Sequence, residues 1–252
     1  MPLGIGIGQA IGLAREARRF EGSSGYVAVS GAGARELAAA LAAGGDRGAV
    51  AVDGDPVRAA VAIRLIDGEP AAAETAVLRR ISSAGTPLLV VRRGGAQRLP
   101  YVLPGDVLEV GRTELPVAEV VAALARVAGE AGPALAARLP LLRAPVTRRL
   151  IGTTSLANAA IAASPWMKQA QLPLLTIAQS RMLLLLGLSR GDVLPRDPKA
   201  LALAAGPAVL GPVGVGLGAR ELVRRLPFGG LLVRAAVAYA GTRALGAARL
   251  HL

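Results

Sequence analysis

Between Tyr26 and Ala128 the chain alternates short apolar runs with helical stretches, and this alternation limits the fold more than any other feature of the sequence. The apolar runs are Tyr26 to Ser30, Ala49 to Asp53, Val61 to Asp67, Pro87 to Val91 and Val107 to Val110. Between and after them, Arg35 to Ala43, Ala71 to Ser82 and Val117 to Ala128 place apolar residues at helical spacing. Short apolar strands separated by helices require a mostly parallel sheet covered on both faces. The pattern predicts a three-layer α/β domain over residues 23–133.

Strand signals stop there. Past a Pro-punctuated connector around Pro140 and Pro145, helices are expected at Val146 to Ala163, Leu174 to Leu188, Pro198 to Ala205, Val213 to Leu226 and Phe228 to Leu250. The reading is an all-α domain over residues 134–252. Residues 1–22 form a third segment, with an amphipathic helix expected from Ile7 to Phe20. No Lys or Arg precedes its apolar run and glycines interrupt it, so it does not read as a secretory signal.

The composition excludes much chemistry. The chain has no Cys, and its one His is His251, next to the C-terminal residue. That leaves no thiolate or imidazole cluster for a metal and no histidine placed for acid–base work. No catalytic residue, metal ligand or cofactor-binding residue is assigned, and the chain reads as a non-enzyme.

Residues 27–41, VAVSGAGARELAAAL, have the outline of a nucleotide-binding strand, loop and helix. A P-loop needs glycine, four residues, then Gly-Lys-Ser/Thr, so that backbone amides cradle phosphates, the lysine neutralises them and the hydroxyl holds magnesium. With Gly33 as the second glycine, Ala28 falls at the first, Ala34 at the lysine and Arg35 at the hydroxyl. Arg35 is no substitute for the lysine: one residue turns a helix by about 100°, and Glu36 adjoins it. The other GTPase positions agree. Asp67 is followed by Pro70 where a DxxG switch needs glycine, and VVRRGG stands where guanine recognition needs Asn-Lys-x-Asp. Arg92 and Arg93 only donate hydrogen bonds and cannot replace an accepting aspartate. Asp67 is expected to serve as a capping or turn carboxylate.

The net charge of +12 is carried by one half of the chain. Residues 1–133 hold 14 basic and 14 acidic residues, whereas residues 134–252 hold 15 basic residues against Asp192, Asp197 and Glu221. Such asymmetry points to an anionic partner for the helical half. Ala200 to Ala219 is 20 residues without a charge, long enough to span a bilayer, but Pro207, Pro212 and several glycines favour a buried helical hairpin over a span. Arg220, Arg224 and Arg225 follow directly and are the candidate contacts to an anionic surface. Leu174 to Leu188 is apolar nearly all round and reads as a central helix, with Arg181 at the core's edge. Nucleic acid fits less well, because this half offers only Trp166, Phe228 and Tyr239 for stacking.

LPYVLPGDVLEV (Leu99 to Val110), LPLLTIAQSRM (Leu172 to Met182) and RAAVAYAGTRALGAA (Arg234 to Ala248) resemble the YcjF-like family, a helical domain of unknown function that often follows an Era-like GTPase domain. The resemblance covers most of residues 99–252. It implies a GTPase-like ancestry for the first half and, for some relatives, residence in the inner membrane. The combined expectation is a pseudo-GTPase-like protein without nucleotide or cofactor, whose basic helical domain meets a membrane surface or a protein partner. It would be cytoplasmic and membrane-associated, with integral inner-membrane placement as the alternative. An atypical nucleotide hydrolase and a nucleic-acid-binding accessory protein are the competing functions.

Overall fold

The computed structural model describes residues 25–111, 115–164, 171–192 and 231–250, together with Gly12. Apart from Gly12, the helix expected over Ile7 to Phe20 lies outside the described residues. So do those expected over Pro198 to Ala205 and Val213 to Leu226, the stretch Ala200 to Ala219, and Arg220, Arg224 and Arg225.

Five strands form where the apolar runs predict them: β1 (Val27–Gly31), β2 (Val50–Val52), β3 (Val61–Asp67), β4 (Leu88–Arg93) and β5 (Val107–Val110). All neighbouring pairs are parallel and the order is β2-β1-β3-β4-β5, the flavodoxin-like order of doubly wound sheets. Helices α1 (Ala34–Leu41), α2 (Ala72–Ser83) and α3 (Val117–Val127) follow β1, β3 and β5.

Strand side chains alternate between the two faces, and the two cores follow that alternation. Val27 and Val29 of β1, Val61, Ile63 and Leu65 of β3 and Leu89 and Val91 of β4 point to one face. There they meet Ala34, Leu37, Ala38 and Leu41 of α1, spaced as one stripe of a helix, and Val120 and Leu124 of α3. Ala62, Ile66, Leu88 and Val90 occupy the other face, covered by Leu78 and Ile81 of α2 and by Leu99 from the β4–β5 loop. Among the described residues, one face therefore carries several helices, and the other a single helix and a loop.

The sheet unit extends to Val146, beyond the expected limit at Pro133. Helix α4 (Gly132–Arg138) belongs to it, with Leu135, Ala136, Leu139, Leu142 and Val146 all in the α1 face's core. Polar contacts fix the same join: Arg138 donates from Nε to Asp46 Oδ2 at 2.9 Å and from Nη1 to the Gly25 carbonyl at 2.9 Å. The expected connector at Pro140 and Pro145 is instead the start of a long helix, α5 (Pro140–Ala163). Pro140 sits at the first helical position, where no amide is needed. Pro145 leaves only the Leu141 carbonyl without its helical donor, and Leu141 is exposed to water.

In the helical unit, α5 is followed by α6 (Gln171–Arg190) and α7 (Leu231–Leu250). Every residue of α6 from Met182 to Ser189 is buried, as expected of a central helix, and Arg181 is half-buried at its edge. Ile151, Met182, Leu183 and Leu186 form an apolar cluster that Leu245 joins. Beside it, the Thr242 hydroxyl accepts from Asn158 Nδ2 and Gln179 Nε2, both at 2.9 Å, and so ties α5, α6 and α7 through one buried oxygen. Gly246 allows the close approach of α7 to α5, since a Cβ there would lie 2.7 Å from Ile151 Cγ1.

Among the described residues no single helix is long and apolar enough to cross a membrane. Val117–Val127 and Gly129–Arg138 reach that length and composition only jointly, and they are bent by 110°. Val120, Leu124 and Leu135 of that pair are buried in the sheet's core, which accounts for their apolar character.

Candidate functional site at the C-terminal edge of the sheet

In a doubly wound sheet the crevice for ligands opens at the C-terminal ends of the strands where the winding reverses, which in this order is between β1 and β3. The two lips of that crevice are Gly31-Ala32-Gly33 and Asp67-Gly68-Glu69. Gly33 caps α1 at φ 83°, a left-handed conformation suited to glycine, and has no side chain to accept from the helix's first amides.

The crevice is occupied by the protein's own cation. Arg93, the last residue of β4, lays its guanidinium over Gly33, with Nη2 3.2 Å, Nη1 3.7 Å and Cζ 3.9 Å from where a Cβ would stand. On its other side Nη1 lies 3.8 Å from Asp67 Oδ1, Asp67 being the residue in register with Arg93 across β3 and β4. The Arg93 Nε is buried without an acceptor. Asp67 is therefore an ion-pair partner at the crevice rather than the cap or turn carboxylate expected of it. Ala34 is buried and Arg35 is exposed, so the loop presents neither a lysine nor a hydroxyl at the P-loop positions.

Arg92 plays a different part from its neighbour because adjacent strand residues point to opposite faces. It turns to the α2 face and is buried, donating from Nε and Nη2 to the Glu109 carboxylate at 2.9 and 2.5 Å and from Nη1 to the Gln97 carbonyl at 2.5 Å. Those hydrogen bonds to Glu109 raise its pKa further above the ordinary arginine value. Arg92 ties β4 to β5 and to the loop between them. On the same face, Arg64 of β3 makes a two-pronged contact with Glu74 of α2, at 2.8 and 2.5 Å.

Sequence reasoning missed Arg93 as the occupant of the crevice. The signal was present in the double arginine: one of two successive residues must face α1, and only Arg93 shares the parity of Leu89 and Val91.

The lips after β3 and β4 are joined. The Gly68 amide donates to the Arg93 carbonyl at 3.0 Å, and Glu69 Oε1 accepts from the Ala96 and Gln97 amides at 2.7 and 3.1 Å. The Ala96 amide first, then that of Gln97, holds the Glu69 carboxyl below its ordinary pKa of 4.5. A depressed carboxylate pKa contributes order that is complete above the ordinary value and is lost as pH falls through the lower folded value. Hydrogen exchange at Ala96 and Gln97 is expected to lose protection below pH 4.5 relative to the rest of the sheet. In Glu69→Gln that protection should be reduced at neutral pH, with the acid step gone; an unchanged profile would remove the clamp.

Among the described residues no group of three His, Cys, Asp or Glu side chains is placed to hold a metal ion. Comparison of the chain with protein-family models, curated proteins and solved structures finds no match to any of them.

Proposed function

We propose that the α/β unit is a GTPase-like domain that has lost nucleotide chemistry and acts as a docking or regulatory module without enzymatic activity. The observation that carries this reading is the Arg93 guanidinium over Gly33, where the α1 N-terminus would otherwise face a phosphate. A cation there is opposed by the helix dipole and held by one long ion pair with Asp67. The missing lysine, hydroxyl and base-accepting carboxylate support the same conclusion. The basic helical half, similar to YcjF-like domains, would attach the module to an anionic membrane surface or to a protein partner.

Titration calorimetry of the full chain with magnesium and GTP, then with magnesium and ATP, tests the reading. No saturable heat is expected with the native chain or with Arg93→Ala. Emptying the crevice restores space but neither the lysine nor the magnesium-binding hydroxyl. Saturable micromolar binding by the native chain would overturn the reading, whereas binding gained only in Arg93→Ala would make Arg93 the sole barrier at the crevice.

A further inference from the structure

We propose that the loop joining β4 to β5 docks a segment of a partner protein that carries an acidic side chain beside an apolar one. The proposal deepens the docking role given to this unit but rests on a surface away from the crevice residues, so peptide binding and nucleotide binding are read separately.

The loop lies on the face of the sheet that α2 alone covers among the described helices, where Leu99 joins the core formed with Leu78 and Ile81. A cavity of about 510 Å³ opens there, walled by Ser82 near the end of α2 and by Arg98 through Leu103. Tyr101 is 52% exposed and Leu103 is 71% exposed, so a protruding aromatic and a protruding aliphatic side chain rim one hollow. Exposed apolar groups collected in this way mark interaction surfaces more often than isolated ones do.

The loop is also held in place. Tyr101 adopts φ 62°, a left-handed conformation that a bulky side chain disfavours. Pro100 and Pro104 stiffen the chain around it. Glu69 grips the Ala96 and Gln97 amides at one end, and Arg126 Nη1 donates to Asp106 Oδ1 at 2.9 Å at the other. Strain kept in a well-anchored loop accompanies function, and a rigid rim lowers the entropy lost on binding.

Charge selects the occupant. The carboxylates of this region are engaged: Glu69 with two amides, Glu109 with Arg92, Asp106 with Arg126, and Asp55 with Arg80 and Arg58. Arg98 in the cavity wall, and Arg79 one turn before Ser82 on α2, are exposed and have no acidic partner among the described residues. The hollow therefore offers apolar side chains beside the open guanidinium of Arg98, with Arg79 a turn away along α2, which suits a Leu, Ile or Phe next to Asp or Glu. Single-stranded nucleic acid fits less well, because Tyr101 is the loop's one aromatic and its neighbours are prolines, leucines and a valine.

The test is selection of short random peptides displayed on phage against the full chain, followed by fluorescence anisotropy of the recovered peptides with wild type and variants. Recovered peptides should pair an acidic residue with an apolar one, and their affinity should fall about tenfold or more in Arg98→Glu and in Leu103→Asp. Arg149→Glu, on α5, should bind as wild type does, and circular dichroism establishes that each variant is folded. Failure to recover any peptide, recovery of peptides without acidic residues, or equal affinity for Arg98→Glu would overturn the proposal. So would a mixed-sequence single-stranded oligonucleotide that binds the loop in a Tyr101-dependent way.

Discussion

Gly31→Ala is expected to lower the free energy of unfolding by about 4 kcal/mol or more. Gly31 ends β1 at φ 101°, and a Cβ on it would lie 2.0 Å from the Leu65 carbonyl oxygen of β3. That oxygen is backbone in a strand buried on both sides, so no rotamer change relieves the overlap. Either β1 and β3 part where they are in register at Gly31 and Leu65, or the chain abandons the turn that starts α1. Gly85 supplies the internal control, since it has φ 69° and open space around its would-be Cβ. Gly85→Ala should lose only the left-handed backbone cost of about 1–2 kcal/mol. Denaturant unfolding of the two variants separates overlap from backbone strain, and equal midpoints would refute the close approach of β1 to β3.

The second large effect is expected from Arg92→Ala. Removing one member of a buried pair costs about 3–5 kcal/mol when both partners are sealed from water. Here Arg92 is buried but the Glu109 side chain is 53% exposed and can rehydrate, which brings the expected loss to about 2–3 kcal/mol. The Gln97 carbonyl loses its donor as well, so the β4–β5 loop should lose its hold on the edge of the sheet. Arg92→Met keeps much of the apolar stem and separates packing from polar loss. If Met restores full stability, the hydrogen bonds to Glu109 and Gln97 contribute nothing net, and the arginine matters only for the space it fills. Urea unfolding, with exchange protection at Val107 to Val110 as the local readout, distinguishes the outcomes.

These two positions show which parts of the molecule can be read locally. The β3 and β5 ranges agree residue for residue with the apolar runs, and helices α1, α2 and α3 start and stop within two residues of the periodic stretches. Such agreement is expected where the hydrophobic period and the buried face coincide. The failure at Pro140 and Pro145 has the opposite cause. Proline marks a break by local rules, yet burial of Leu139, Leu142 and Val146 in the sheet's core outweighs one missing hydrogen bond at an exposed residue, Leu141.

The same division holds at the candidate site. From the residues alone one could tell that the loop after β1 carries Ala34 and Arg35 instead of a lysine and a hydroxyl, because the identity of a side chain is a local fact. Which group occupies the crevice could not be told, because that depends on strand order and register. Parallel pairing of β3 with β4 sets Asp67 opposite Arg93, and pairing of β4 with β5 sets Arg92 opposite Glu109. Alternation along β4 then sends the two arginines to opposite faces, one into the crevice over Gly33 and the other into the edge of the sheet. In the helical unit, likewise, Asn158, Gln179 and Thr242 are unremarked polar residues in apolar helices until packing brings them to one hydroxyl oxygen. The hydrophobic period and the side chains of the loop after β1 were determined by the sequence itself, since each depends on residues a few places apart. The partners of Arg92, Arg93 and Thr242 were decided only by the tertiary structure, since they come from other strands and helices, and only the register and packing of the folded chain brings them together.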